Sequence, residues 1–350
     1  MTHKRLRLPA EWEPADAVLM AWPHSGTDWA YMLEEVHTCY ASIIKALARY
    51  TRVILIGPEE PEERFLPKGP EADNIVFINI PTNDTWTRDY GPLTAIETSG
   101  AGDTIVINDF KFNGWGLKFA ADRDNLATRT LCEAGIFNGT YRNRLNFVLE
   151  GGSIESDGKG TLLTTEDCLL SPNRNGASTL DSIENTLAEA FGISNYLWLR
   201  HGALEGDDTD GHIDTLARLV PPGDTILYVG CSDPADSHYE PLKLMLEDLR
   251  QLRTPEGLPY HLIELPLPDP VYDPEDGHRL PATYANFLII NGAVLLPVYG
   301  QPMKDTLAKM TVAAAFPGYD IIPVDCRALV RQHGSLHCAT MQLPSGMLAF

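Results

Sequence analysis

Four short stretches hold the residue types that do chemistry. Near the C-terminus, His333-Gly334-Ser335-Leu336-His337-Cys338-Ala339-Thr340 sets one cysteine among small and polar residues. Upstream lie Thr87-Arg88-Asp89-Tyr90-Gly91-Pro92, Leu149-Glu150-Gly151-Gly152 and Gly211-His212-Ile213-Asp214. A thiol attacks as its thiolate, and only about a few per cent of free cysteine is ionised at neutral pH. Cys338 therefore needs a cation beside it, from the protein or from the substrate. Taken alone it reads first as a buried small apolar residue, the usual setting of a free cysteine. Its company changes that reading.

His212 titrates near neutrality when unperturbed, which suits a general acid or base. Asp214 follows two residues later, and on a strand the two side chains would share a face. The plain alternative is a solvated acidic loop, because Glu205, Asp207, Asp208 and Asp210 crowd the same region. Asp89 sits at a glycine-backed turn beside Trp86; with Arg88 it also reads as a surface ion pair of little energetic weight. Glu150 closes an apolar strand ahead of two glycines, where a carboxylate often just caps the strand end. Gly151-Gly152 lacks the spacing of a phosphate-cradling loop. Together the residues suit a guanidinium. That planar cation presents N–H groups as a fork that carboxylates match bidentately. Carboxylates hold it for attack, a thiol attacks its central carbon, and a histidine protonates the departing ammonia.

These loops must be presented by a scaffold. Apolar strands are expected over 17–23, 52–56, 74–80, 104–107, 145–149, 161–165, 196–199, 213–220, 225–229, 261–265, 286–290, 293–298 and 320–324. The dipeptide Asn291-Gly292 is the strongest hairpin signal. Three- and four-residue apolar spacing marks helices beginning near 28, 122, 177, 239 and 303, the last through Met303, Leu307, Met310 and Ala314. The last four starts are roughly 55–65 residues apart without repeated sequence, which predicts about five similar strand-and-helix units in one domain spanning 1–350. Each suspect loop follows an apolar strand.

The chain has 350 residues, 44% of them apolar and 21% charged, with a net charge of −21. That balance fits a globular protein. It argues against a nucleic-acid partner, since no basic stripe is available to displace counterions from phosphates; the acidic surface reads first as a solubility device, and otherwise as a field that draws in a small cation. Six cysteines without a Cys-x-x-Cys give neither a disulfide framework nor a zinc ribbon, so a reducing compartment is expected. Glu11, Glu13, Pro14 and Asp16 interrupt any signal-peptide core, and no apolar run approaches the roughly 18 residues of a membrane span. The expectation is a cytoplasmic protein with no membrane partner. A homo-oligomer is left open.

The sequence resembles the agmatine deiminase and bacterial-type peptidylarginine deiminase family of the guanidine-modifying superfamily. The resemblance is carried by Trp86-Thr87-Arg88-Asp89-Tyr90-Gly91-Pro92, Asn113-Gly114-Trp115-Gly116, Leu149-Glu150-Gly151-Gly152-Ser153-Ile154, Asn173-Arg174-Asn175, Gly206–Asp214, Tyr284-Ala285-Asn286-Phe287 and His337–Pro344. It spans nearly the whole chain. It implies a five-bladed α/β propeller with Cys338 as nucleophile and His212 as general acid/base. Asp89 and Asp214 would grip the guanidinium, and Glu150 would support His212 or the guanidinium. Trp86, Trp115 and Asp208 would complete the substrate site, the acidic loop 205–210 taking a far amine. It implies a covalent thiouronium intermediate, loss of ammonia and hydrolysis, with no metal or organic cofactor. The activity implied is conversion of agmatine to N-carbamoylputrescine in polyamine biosynthesis; the alternative is deimination of protein arginine. The chain departs from the agmatine-specific pattern at His333-Gly334-Ser335-Leu336, which bears on substrate choice. A different chemistry, metal-dependent guanidine or amide hydrolysis, would use Asp208, Asp210, His212 and Asp214 with His333 and His337.

Overall fold

The alternation of apolar strands with amphipathic helices resolves into five small sheets of one design. The computed structural model describes residues 5–100 and 102–350. In each sheet a strand lies antiparallel to its neighbour, and a helix then carries the chain to a third strand parallel to the second. In the first unit Ala15–Ala21 runs into helix α1 (Leu33–Leu47) and returns as Arg52–Gly57, with Ile75–Asn79 beyond. The second unit is Leu93–Ser99, Gly102–Lys111, α2 (Asp124–Glu133) and Thr140–Val148. Ile154–Ser156, Thr161–Thr165, α3 (Leu180–Phe191) and Asn195–Leu199 form the third. The fourth is Ala217–Val220, Thr225–Gly230, α4 (Tyr239–Gln251) and His261–Pro266. The fifth is Leu288–Ile290, Ala293–Val298, α5 (Pro302–Ala315) and Asp320–Asp325.

The first unit takes its antiparallel strand from the other end of the chain, Met341–Pro344, which pairs with Ala15–Ala21. This pairing brings the segment just after Cys338 beside the N-terminal strand. Parallel strands buried on both faces read as continuous apolar runs, and Val53, Ile54, Leu55 and Ile56 are fully buried. Each such side chain contributes roughly 1.5–3 kcal/mol on burial. The inward stripe of α1, Val36, Tyr40, Ile43, Ile44 and Leu47, covers them.

Several expectations need correction. Ile213–Val220 is not one strand: Ile213–Thr215 is a helical turn, and the strand starts at Ala217. Leu216 N donates to the Ile213 carbonyl and Thr215 N to that of His212, so His212 and Asp214 do not share a pleat face. The stripe that marked α5 lies on the outer face of that helix. Met303, Leu307 and Met310 are 88, 51 and 65% exposed, while Ala308 and Val312 are buried. The Asp305 carboxylate pins that rotation, accepting hydrogen bonds from the Tyr284 hydroxyl and from the Tyr299 and Gln301 amides. The hairpin at Asn291-Gly292 is present, with both residues at positive φ (41° and 84°). Strands Leu93–Ser99, Ile154–Ser156 and Met341–Pro344 were not expected from the sequence.

Candidate active site

Three backbone turns and one loop carry the predicted residues to one place. Asp89 lies in the turn Thr87–Tyr90, Glu150 just before the turn Gly151–Ser153, and His212 and Asp214 at the turn Ile213–Thr215. Cys338 precedes the strand Met341–Pro344. The Arg88 amide donates to the Cys338 carbonyl at 3.2 Å, which ties the first turn to the cysteine loop.

Gly152 marks the point of convergence. A Cβ there would lie 2.5 Å from His212 Nδ1, 2.9 Å from Asp89 Oδ1 and 3.1 Å from Asp214 Oδ2. Only glycine lets these groups approach one another over the backbone, and its amide donates to Asp89 Oδ1 at 2.9 Å. The other Asp89 oxygen accepts from Trp115 Nε1 at 2.8 Å. Trp115 takes a left-handed backbone (φ 53°) and is wedged edge-on between Phe112 and Phe119, at 4.9 and 5.5 Å between centroids.

His212 is fully buried and donates through Nε2 to Glu150 Oε2 at 2.8 Å. Its Nδ1 has no hydrogen-bond partner and lies 3.7 Å from Asp89 Oδ1. Arg174 holds Glu150 in turn, donating from Nε at 2.9 Å and reaching Asp210 from Nη1 at 2.6 Å. On the other side Asp214 Oδ2 accepts from His337 Nδ1 at 2.7 Å and lies 3.8 Å from Cys338 Sγ, while Asp214 Oδ1 is buried without a partner. Asn286 Nδ2 donates to Cys338 Sγ at 3.2 Å. Behind His337, Glu11 accepts from Nε2 at 2.9 Å and pairs with Arg218.

Burial dominates the electrostatics. It pushes the Cys338 thiol well above its ordinary range, and the carboxylates of Asp214 and Asp89 add to the effect. It pushes the Asp89 carboxyl up to about 6, against the attraction of His212 and with help from Glu150 and Asp214. Burial alone would depress His212. The Asp89 carboxylate, Cys168 and Glu150 outweigh it and hold the imidazole well above its usual value. For Asp214 burial is outweighed by the hydrogen bond from His337, and the carboxyl stays below the usual range.

A cavity of about 170 Å³ opens above this layer, lined by Trp86, Asp89, Trp115, Phe119, Asp208 and Cys338, with His333 and two further carboxylates, Asp28 and Asp84, also on its wall. Among the described residues, its lining contains no lysine or arginine. His212, Glu150 and Asp214 do not line it; they lie packed beneath Asp89 and Gly152. Gly334 lies against Trp86, where a Cβ would be 2.4 Å from the indole. The other residues that depart from the agmatine pattern sit nearby: Ser335 shares a hydrogen bond with the Tyr299 hydroxyl, and His333 has φ 64°.

The metal-ligand set considered from the sequence does not converge. Asp210 is held by Arg174 and Lys118, His212 by Glu150, and Asp214 by His337, while His333 meets the Gly206 carbonyl. Among the described residues, a different trio, Glu150, Cys168 and His212, has potential ligand atoms within 4.8 Å of one another. The Arg174 guanidinium on Glu150 opposes a cation there.

The sequence reading gave no role to Arg174, Asn286, Glu11 or Arg218, and named His337 only as a ligand in the metal-dependent alternative. Arg174 and Asn286 lie in motifs that carried the resemblance. The partners of Glu11 are more than two hundred residues away, so spacing offered no signal.

A buried thiol, two carboxylates with spare acceptor capacity and a histidine–glutamate pair beside a cavity rich in acids make a cysteine-centred site shaped for a cation. The chain belongs to the Porphyromonas-type peptidyl-arginine deiminase family, whose model matches residues 7–344. A Porphyromonas gingivalis structure provisionally described as an arginine deiminase is 50% identical, with a TM-score of 0.91 over 98% of this chain and 100% of that one. A Cys-to-Ser variant of C. jejuni agmatine deiminase with substrate bound is 36% identical, with a TM-score of 0.88 over 98 and 97%. The agmatine deiminase of Pseudomonas aeruginosa strain LESB58 is 33% identical over 97% of this chain and 95% of its own. The mixed α/β fold with several small sheets matches that of these deiminases. Among the described residues, no helix is long and apolar enough to cross a membrane.

Proposed function

We propose that this protein is an agmatine deiminase: one catalytic domain that hydrolyses the guanidinium of agmatine to N-carbamoylputrescine and ammonia. One observation carries the reading. Two buried atoms without partners, Asp214 Oδ1 and His212 Nδ1, belong to residues packed against Cys338 and Asp89, which line a cavity of acids and aromatics. Buried polar atoms normally find partners, and a bound guanidinium would supply an N–H donor to Asp214.

The chemistry follows from the charges. In the free site the thiol is neutral because burial and carboxylates oppose its ionisation. A guanidinium held between Asp89 and Asp214 brings the missing cation, so the thiol releases its proton to solvent and the thiolate forms when the substrate is in place. The Asn286 side-chain amide then donates to the thiolate. Sulfur attacks the central carbon, and protonated His212, steadied by Glu150, delivers a proton to the departing ammonia. Water deprotonated by His212 attacks the resulting thiouronium, and the C–S bond breaks to release the urea product and thiolate.

The substrate choice rests on the agmatine-directed relatives and on a cavity whose acids, Asp208 included, suit a second positive charge and whose described lining offers no lysine or arginine to a carboxylate. Trp86 and Trp115 would pack against the methylene chain. The five strand-and-helix units, closed by the pairing of Met341–Pro344 with Ala15–Ala21, support a five-bladed α/β propeller; a crystal structure without a common fivefold axis would reject that arrangement. Six unpaired cysteines fit a reducing compartment, the cytoplasm. The deciding experiment is ammonia release measured side by side on agmatine, free arginine and an arginine peptide. Agmatine should be turned over far faster; preference for the peptide would move the assignment to peptidylarginine deimination.

A further inference from the structure

Two residues of the cavity wall, Trp115 and His333, hold a left-handed backbone, with φ 53° and 64°. Side chains other than glycine rarely adopt it, and it persists where the surroundings over-determine it, often at functional sites. Trp115 puts its turn to use, its indole N–H reaching Asp89. The chemistry at Cys338 makes no use of His333. Yet its ring is held from two sides. Nδ1 donates to the Gly206 carbonyl at 2.7 Å, at the start of the acidic loop, and the ring stacks on His278 with centroids 5.2 Å apart and planes 11° from parallel. Two residues earlier, Arg331 pairs with Asp273 and Glu275, in the same loop as His278. A carbonyl only accepts, so Nδ1 carries the hydrogen, and in the neutral imidazole Nε2 is then a bare acceptor. Among the described residues, nothing donates to it. Asp208, two residues past Gly206, stands on the same wall, close enough to His333 to feel its charge.

We infer that His333 determines specificity at the far end of the substrate cavity, where its Nε2 and the Asp208 carboxylate together accept a terminal ammonium. The inference rests on the reading of the protein as an agmatine deiminase and adds to it a division of labour. Asp208 supplies charge, which draws in any cation. The imidazole supplies an acceptor in a fixed place, because two loops hold its ring. An ammonium has three N–H donors, enough for both partners. Free arginine would bring its carboxylate to the same wall, against a lone pair and a carboxylate that both repel it. His333 thus selects a guanidine that ends in an amine alone.

The test is kcat/KM for agmatine and for butylguanidine, the same guanidine without its terminal amine, assayed at about pH 8, above the ordinary histidine range. Wild type should prefer agmatine by at least ~10-fold, the scale set by a hydrogen bond to a charged group. His333→Gly and His333→Asn should both fold, since glycine and asparagine accept a left-handed backbone. The asparagine amide can still donate to the Gly206 carbonyl but offers no acceptor where Nε2 stood. Both variants should lower the agmatine-to-butylguanidine ratio by at least ~10-fold, chiefly through KM for agmatine. A ratio unchanged in both, or a wild type equally efficient on the two guanidines, would overturn the proposal. So would a loss confined to His333→Gly, which would leave His333 as a tie for the acidic loop and nothing more. A wild type that deiminates an arginine peptide and not agmatine would reject the agmatine reading itself, and this inference with it.

Discussion

Asp214 reaches Cys338 and His337 with one oxygen: Oδ2 accepts a 2.7 Å hydrogen bond from His337 Nδ1 and lies 3.8 Å from Cys338 Sγ. Two consecutive residues of the C-terminal loop are thus set by one buried carboxylate. Its other oxygen is left free for a ligand.

Cys338→Ser should lower kcat by at least ~10⁴-fold, as loss of a covalent nucleophile does, while agmatine still binds by calorimetry. Rapid quench of the wild type should show the adduct mass on the peptide containing Cys338. An adduct on Cys326 would reassign the nucleophile.

Asp214→Asn and Asp89→Asn should each cost roughly 100-fold or more in kcat/KM, since truncating one side of a buried charge pair costs about 2–5 kcal/mol. The Asp89 carboxyl is pushed up to about 6 and must be ionised to hold the cation. For wild type, kcat/KM should therefore fall as pH drops through about 6.

The same shift has a stability consequence with a definite sign. A carboxyl raised in the folded state favours folding below its unfolded pKa, near 4, and that contribution is lost as pH rises through about 6. Free Asp89→Asn should thus melt higher than wild type at pH 8, by on the order of 1–3 kcal/mol. The gap should close toward pH 4. Melting curves of the two proteins that stay parallel across this range would contradict the burial reading.

Glu150→Gln should move the alkaline limb of the kcat–pH profile to lower pH. His212 is held above its ordinary value against burial, and Glu150 is one of the groups that hold it there. Less charge beside Nε2 lets the imidazole lose its proton earlier. An unmoved alkaline limb would remove His212 as the acid.

Gly152→Ala puts a methyl against His212, Asp89 and Asp214 at 2.5 to 3.1 Å. None of these is a flexible surface side chain, so the layer must spread, at about 1–3 kcal/mol of stability. A folded protein with kcat at least ~100-fold lower is expected, because small misplacements of reacting groups cost that much.

The sequence by itself determined the residue types and the local frame. Apolar runs gave most strands, helical spacing gave the five long helices, and Asn291-Gly292 gave its hairpin, because these depend on neighbours a few residues away. The chemistry-bearing loops containing Cys338, His212, Asp89, Glu150 and Asp214 were also legible, since each follows an apolar strand. Only the tertiary structure decided what those loops meet. That His212 and Asp214 come from a helical turn was hidden, because Ile213–Val220 has an apolar pattern that suits a strand. The spacing that marked α5 did not say which face packs inward: Asp305, through hydrogen bonds to the segments at 284 and 299, fixes the helix with its apolar stripe outward. The partners of the site, Arg174 on Glu150 and Glu11 on His337, come from positions 24 and 326 residues away. No local periodicity encodes such distances; they are set by how the five sheets pack.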